Sequence, residues 1–221
     1  TYRIIFIPET IGSIVYLSRN LDHLKQHVIA GFNISCVGDD RVYSYLPSRD
    51  GNTLSDQAAL HVLKYIDPGF KHYTWLDRGS DERQYCAPGV DLPIATIMRS
   101  WGEEYPEYHT SLDDLSLVTP SGLGGGFTAL KKMLKVIEKN VFPKVTVLGE
   151  PQLGKRGLTP TLSTKNIRNE FILIRHLISY CDGKKSTLEI SELLDEPFWK
   201  LSPLIEKLFN NGLLSLNVDK K

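Results

Sequence analysis

The sequence has 221 residues, 41% of them hydrophobic and 24% charged, enough to bury a sizeable core and to divide into a larger and a smaller domain. Its 26 Lys and Arg are balanced by 26 Asp and Glu, so no bulk field draws it to nucleic acid or to a charged membrane surface. Three cysteines without metal-type spacing read as the reduced thiols of a cytoplasmic protein; no apolar run approaches the roughly 18 residues of a membrane span, and no signal peptide is visible.

In chain order, Tyr2 to Ile7 reads as a strand entered directly from Thr1. A domain seldom begins inside its sheet, so the N-terminal part of a larger protein is expected ahead of it. After Pro8-Glu9-Thr10, Gly12-Ser13 opens an amphipathic helix to about Val28. Ile29 to Val37 reads as a second buried strand ending at Gly38-Asp39-Asp40, and Arg41 to Leu46 alternates like a short hairpin arm. Thr53-Leu54-Ser55-Asp56 has the spacing of a capping box and starts a helix to about Ile66. A strand near His72 to Leu76 precedes the run Leu92 to Met98, which is short, β-branched and flanked by Gly89 and Pro93, and so reads as an interior strand. Charged segments sit at its two mouths: Ser80-Asp81-Glu82-Arg83 before it and Tyr108-His109-Thr110 after it. In α/β sheets chemistry collects where strands end, which directs Asp81 or Glu82 and His109 towards one cleft.

A helix from about Pro120 to Asn140 follows. The run Gly124-Gly125-Gly126 lacks the Lys of a phosphate loop and the spacing of a dinucleotide fingerprint, and reads as loose packing at a helix start. The alternation of strands and helices gives a three-layer α/β domain over residues 1–148 with a mostly parallel or mixed sheet. Residues 149–164 are rich in Pro and Gly and read as a linker or strap. Helices over Asn169 to Tyr180, Thr187 to Leu194 and Pro197 to Asn211, then a strand at Gly212 to Leu216, make a winged-helix pattern over residues 165–221. That segment holds nine Lys or Arg against eight acids, and its third helix offers only Lys200 and Lys207, which argues against nucleic-acid binding.

An Asp in a turn, then Pro-Gly and an apolar strand, then Tyr-His-Thr leading into Asp and a Pro-started helix, resembles the second half of the MH-clan zinc aminopeptidases. PETIGS at residues 8–13 resembles their Glu-bearing strand-to-helix turn. DERQYCAPGVDLP, YPEYHTSLDD and GEPQLGKRGL are similar, almost word for word, to a bacterial group of aminopeptidase-like proteins that carry a winged helix behind the catalytic domain. CDGKKSTLEISELL followed by LIEKLFNNGLL also resembles small winged helices that bind peptides in modified-peptide biosynthesis.

The resemblance implies one or two zinc ions, a metal-activated water and a carboxylate base. It makes His109 a zinc ligand and Asp39 a terminal carboxylate ligand, with Cys36 taking that place in a shorter register. The family shows two consecutive carboxylates where this chain has Pro8-Glu9-Thr10, so Glu9 is the base in one alignment and a ligand in the other, and Glu82 supplies the missing carboxylate. Asp81, with Arg83 beside it, falls where the family orients a His or holds the substrate amine. The remaining ligands, a His and a bridging Asp, lie in the family ahead of the Glu turn, upstream of Thr1. The local alternatives stay open: Asp81 as a helix N-cap, Glu9 as a partner of the helix dipole, Asp39 as a turn residue, His109 as a hydrogen-bonded structural residue. His23, His27, His61, His72 and His176 lack carboxylate spacing and read as structural.

The resulting expectation is a zinc-dependent aminopeptidase-type hydrolase of a peptide or aminoacyl substrate with a free amine. The second is a catalytically degenerate binding scaffold of a glycan or peptide biosynthetic cluster; the third is a winged-helix regulator. The winged helix is expected to dock a peptide or protein, or to serve as a lid or as the dimer element of a homo-oligomer.

Overall fold

A computed structural model describes residues 1–158 and 165–217. Two compact units divide between Ile137 and Glu138. The first holds α1 (Ile11–His27), β1 (Gly31–Ile34), β2 (Ser44–Leu46), α2 (Leu54–Ile66), β3 (Lys71–His72), the single turn α3 (Glu82–Tyr85), β4 (Ile94–Met98) and nearly all of α4 (Pro120–Lys139).

The apolar, β-branched run becomes β4, the strand about which the sheet is ordered β1-β4-β2-β3. Ala95 and Ile97 face one way and Thr96 and Met98 the other, and all four are buried, so β4 is covered on both faces. β1 runs parallel to it, Gly31 opposite Ile94 through Ile34 opposite Ile97. β2 runs antiparallel, Ser44 opposite Met98, so the sheet is mixed. The expected hairpin arm is thus a pairing with a distant strand. α2 packs on β4 through Ala58, Ala59, Val62 and Leu63, which are completely buried. Its start follows from the sequence: Thr53 Oγ1 accepts from the Asp56 amide, and the Asp56 carboxylate accepts from the Thr53 amide at 2.8 Å.

Two expected strands differ. Tyr2 to Ile7 forms no strand, because an extended segment becomes one only by pairing and these residues pair with none of the described strands. Phe6 is 92% exposed and Ile4 78%. The strand expected at His72 to Leu76 stops at His72, where Thr74 caps a 3-10 turn over Trp75–Asp77.

The second unit contains β5 (Phe142–Val145), α5 (Lys165–Tyr180), α6 (Thr187–Leu193), α7 (Phe198–Asn210) and β6 (Leu214–Asn217). β5 pairs antiparallel with β6, Phe142 opposite Asn217 and Val145 opposite Leu214. That ladder ties residues 142–145 to the second unit, whereas the change in composition had ended the first domain at 148. Residues 159–164 of the expected linker lie outside the described residues. Leu173, Leu177, Leu201, Leu204, Ile205 and Leu208 supply helical stripes that close a core with Ile190 and Leu213. Ser186 caps α6 with Glu189 as its reciprocal partner. Among the described residues no helix is long and apolar enough to cross a membrane.

Candidate functional site

Non-glycine residues avoid left-handed backbone because Cβ crowds the carbonyl, and where they adopt it the surroundings must impose it. Five described residues do so, and three fall at or beside candidate site residues: Thr10 (φ 61°), next to Glu9, Cys36 (φ 46°), inside the expected strand to Val37, and His109 (φ 57°). Thr10, with ψ −68°, is the centre of a γ-turn closed by the Ile11 amide donating to the Glu9 carbonyl at 2.7 Å. The turn leaves the Glu9 side chain exposed at the start of α1.

Tyr108 lies between two of these residues, Cys36 and His109. Its ring stacks on His109 at 3.8 Å between centroids and meets Tyr105 edge-on at 5.5 Å. The Tyr105 hydroxyl is 3.6 Å from the Cys36 sulfur. Burial raises the Tyr108 phenol above its ordinary range, and the nearby Cys36, Glu9 and Glu103 add to that rise. Gly102 lies flat beneath this ring, where a Cβ would come within 2.6 Å of it. Arg41 clamps the segment from the other side, donating to both Glu107 carboxylate oxygens at 2.6 and 3.0 Å. Cys36, Tyr105, Tyr108 and His109 therefore form one partly open cluster, and the Glu9 charge bears on it at longer range. The two tyrosines had no assigned role; the spacing Tyr105-x-x-Tyr108 before His109 was the available signal.

The other expected site residues are employed differently. Asp39 is buried and accepts from the Arg41 amide at 2.9 Å and from the Ser100 amide and hydroxyl, both at 2.8 Å. Glu82 is buried too; one oxygen accepts from the Gly79 and Ser80 amides at 2.7 and 2.9 Å, the other from Asn33 at 2.9 Å and Thr96 at 3.2 Å. These carboxylates stitch loops to strand ends, and their lone pairs are taken by protein donors. Asp81 makes no helix cap; its Oδ1 accepts from the Thr10 amide at 2.7 Å. Arg83 donates to the Thr10 hydroxyl at 3.0 Å.

No three described His, Cys, Asp or Glu side chains form a group able to hold a metal ion. The expected set of His109, Asp39 and Glu9 does not assemble: Asp39 is enclosed by its donors, while Glu9 and His109 are exposed. Zinc is not fitted by these residues alone.

The glycines of α4 set the site's back wall. A Cβ on Gly122 would lie 2.0 Å from the Gly38 carbonyl oxygen, and one on Gly126 2.9 Å from that of Val37. The helix thus packs directly on the backbone that carries Asp39. Gly125 lies against buried Arg99, whose guanidinium stacks on Tyr43 at 3.9 Å. Only Gly124 of the triple-glycine run faces open space, so the run is close packing and not loose.

Against known proteins, residues 1–140 match the family described as a domain of unknown function (DUF4910), and residues 140–216 match a winged helix-turn-helix family. A Clostridium acetobutylicum protein named for polysaccharide biosynthesis with an aminopeptidase-like domain is 33% identical over 220 residues, 98% of this chain and 50% of that protein. A crystal structure from the same species, named as a peptidase, has a TM-score of 0.84 at 32% identity and is matched over 95% of this chain and 46% of its own. A zinc aminopeptidase from Bacillus subtilis aligns over 57% of this chain and 32% of its own, with TM-score 0.45 at 17% identity. The chain spans about half the length of the relatives it matches.

Proposed function

Since this chain belongs to the DUF4910 family and shares the aminopeptidase-like fold of its relatives, with a winged helix behind it, we propose that it carries one face of an aminopeptidase-type hydrolytic site for a peptide or aminoacyl substrate with a free amine. The observation that carries this reading is the left-handed backbone at Thr10, Cys36 and His109, with Cys36 joined through Tyr105 to the Tyr108–His109 stack and Glu9 left exposed at the Thr10 turn. Strained non-glycine backbone concentrates where side chains are held for chemistry.

In this reading Glu9, unencumbered at its turn, takes a proton from the attacking water or holds the substrate ammonium. Tyr108, a phenol protonated at neutral pH, donates its O–H to the substrate carbonyl as negative charge develops there. His109, fixed against the Tyr108 ring, lines the same surface. Zinc comes to the reading from the family likeness, and the chain's own side chains bind, orient and move the proton.

A second reading, a binding scaffold in glycan assembly, is supported by the polysaccharide-biosynthesis name of the relative and by the enclosure of Asp39 and Glu82 in protein hydrogen bonds. Metal content by mass spectrometry and hydrolysis of aminoacyl 4-nitroanilides separate the two. For the hydrolase, the full-length protein holds near-stoichiometric zinc, His109→Ala loses it, and Glu9→Gln lowers kcat by roughly 100- to 10,000-fold. A folded wild type with neither zinc nor hydrolysis identifies the scaffold.

A further inference from the structure

We propose that Asp81 and Arg83 form a bracket that holds the Glu9–Thr10 turn in its strained shape, making Asp81 a positioning residue for Glu9. The proposal rests on the preceding reading only for what Glu9 does, not for the shape of the turn.

A γ-turn with positive φ is rare, and at a β-branched residue such as Thr10 it is an outlier that persists only when neighbours over-determine it. Both polar groups of Thr10 are held from outside: its amide donates to Asp81 Oδ1 at 2.7 Å and its hydroxyl accepts from Arg83 Nη2 at 3.0 Å. Within the turn, the Ile11 amide reaches the Glu9 carbonyl at 2.7 Å and the Gly12 amide the Pro8 carbonyl at 2.9 Å. Gly12 is needed there, since a Cβ would stand 2.8 Å from the Ile7 side chain.

The bracket has a fixed base. Glu82, between its two arms in sequence, is buried and tied to Asn33 and Thr96 of the sheet and to the Gly79 and Ser80 amides. Arg83 is steadied in turn by donating from Nε to the Ser80 carbonyl at 3.0 Å. The three consecutive residues Asp81-Glu82-Arg83 thus convert a rigid anchor on β1 and β4 into two contacts with the turn that presents Glu9. Asp81 Oδ1 and Arg83 Nε and Nη2 are engaged by the protein itself.

The test is amide exchange and 1H–15N spectra of the full chain as wild type, Asp81→Asn, Asp81→Ala and Arg83→Gln. In wild type the Thr10 amide is shifted downfield and protected. Asp81→Ala speeds its exchange by about tenfold or more while Thr96 and Ile97 of β4 stay protected. Asp81→Asn keeps an acceptor oxygen and falls between the two, and Arg83→Gln displaces the Thr10 and Glu9 resonances. Thr10 exchange equal in wild type and Asp81→Ala overturns the proposal. If Asp81→Ala does not fold, wild-type Thr10 and Glu9 resonances in both Asp81→Asn and Arg83→Gln overturn it. These signals report the turn whether or not anything is hydrolysed. A held turn in a protein without hydrolase activity therefore refutes the function and leaves the bracket standing.

Discussion

A carboxylate taken out of water must replace its hydration with donors, and three acids of the first unit do so with amides and hydroxyls. Asp56 accepts from the Tyr45 hydroxyl at 2.7 Å, the Ser48 amide and hydroxyl at 2.8 and 2.6 Å, and the Thr53 amide and hydroxyl at 2.8 and 2.6 Å. Asp39 and Glu82 are held in the same way, which makes them stability residues. Glu82→Gln places an NH2 group against amide donors and is expected to lower the unfolding free energy by about 2–3 kcal/mol, read from urea denaturation. No measurable change would mean that Glu82 is not enclosed. The cysteines divide similarly. Burial, with the Asp182 charge second, pushes the Cys181 thiol up to about 12, and burial also raises Cys86. A thiol whose folded value lies above its unfolded one adds stability that is whole below about pH 9 and lost as pH climbs through about 12. At pH 8, iodoacetamide should label the half-exposed Cys36 in the folded protein and spare Cys86 and Cys181. Labelling of Cys181 at a comparable rate would contradict this burial.

At the scale of elements, α4 shows how one helix uses the same residue type for opposite ends. Gly122 and Gly126 are dictated by backbone contact, whereas Gly124 meets nothing within 4 Å. Gly122→Ala is expected to destabilise by about 1–3 kcal/mol or more, because a backbone carbonyl cannot move aside as a flexible side chain does. Gly124→Ala is expected to stabilise by about 0.5–1 kcal/mol through lower unfolded-chain entropy. Thermal melts of the pair check both signs; equal effects would remove the packing account of the stripe. α6 owes its start to Ser186, and Ser186→Ala is expected to lower stability by about 1 kcal/mol.

For the whole molecule, charge decides which partners are credible. The basic side chains that α7 offers are engaged, Lys200 with Glu196 at 2.7 Å and Lys207 with Glu170 at 3.3 Å. With equal acids and bases along the chain, fluorescence anisotropy with a mixed-sequence duplex at physiological salt should show binding weaker than about 10⁻⁴ M. Salt-sensitive binding in the micromolar range would favour the regulator reading of the winged helix.

Local pattern sufficed wherever the physics is local. The Thr53–Asp56 capping box, the helix beginning at Pro120, the interior strand before Met98 and the winged-helix order of three helices and a strand were all legible, because caps, periodicity and β-branching act within a few residues. The family was legible as well, since residues 1–140 match its model. What only the tertiary structure decided was the use of each acid. Asp39, Asp81 and Glu82 look alike as charged residues at the mouths of a strand. Whether a carboxylate is free for chemistry depends on which amides and hydroxyls meet it, and those come from Ser100, Thr10, Asn33 and Thr96, far away along the chain. The antiparallel step between β2 and β4, the want of a β-ladder over Tyr2 to Ile7 among the described strands and the meeting of Cys36 with Tyr105 were hidden for the same reason: each is set by a partner that sequence separation does not reveal.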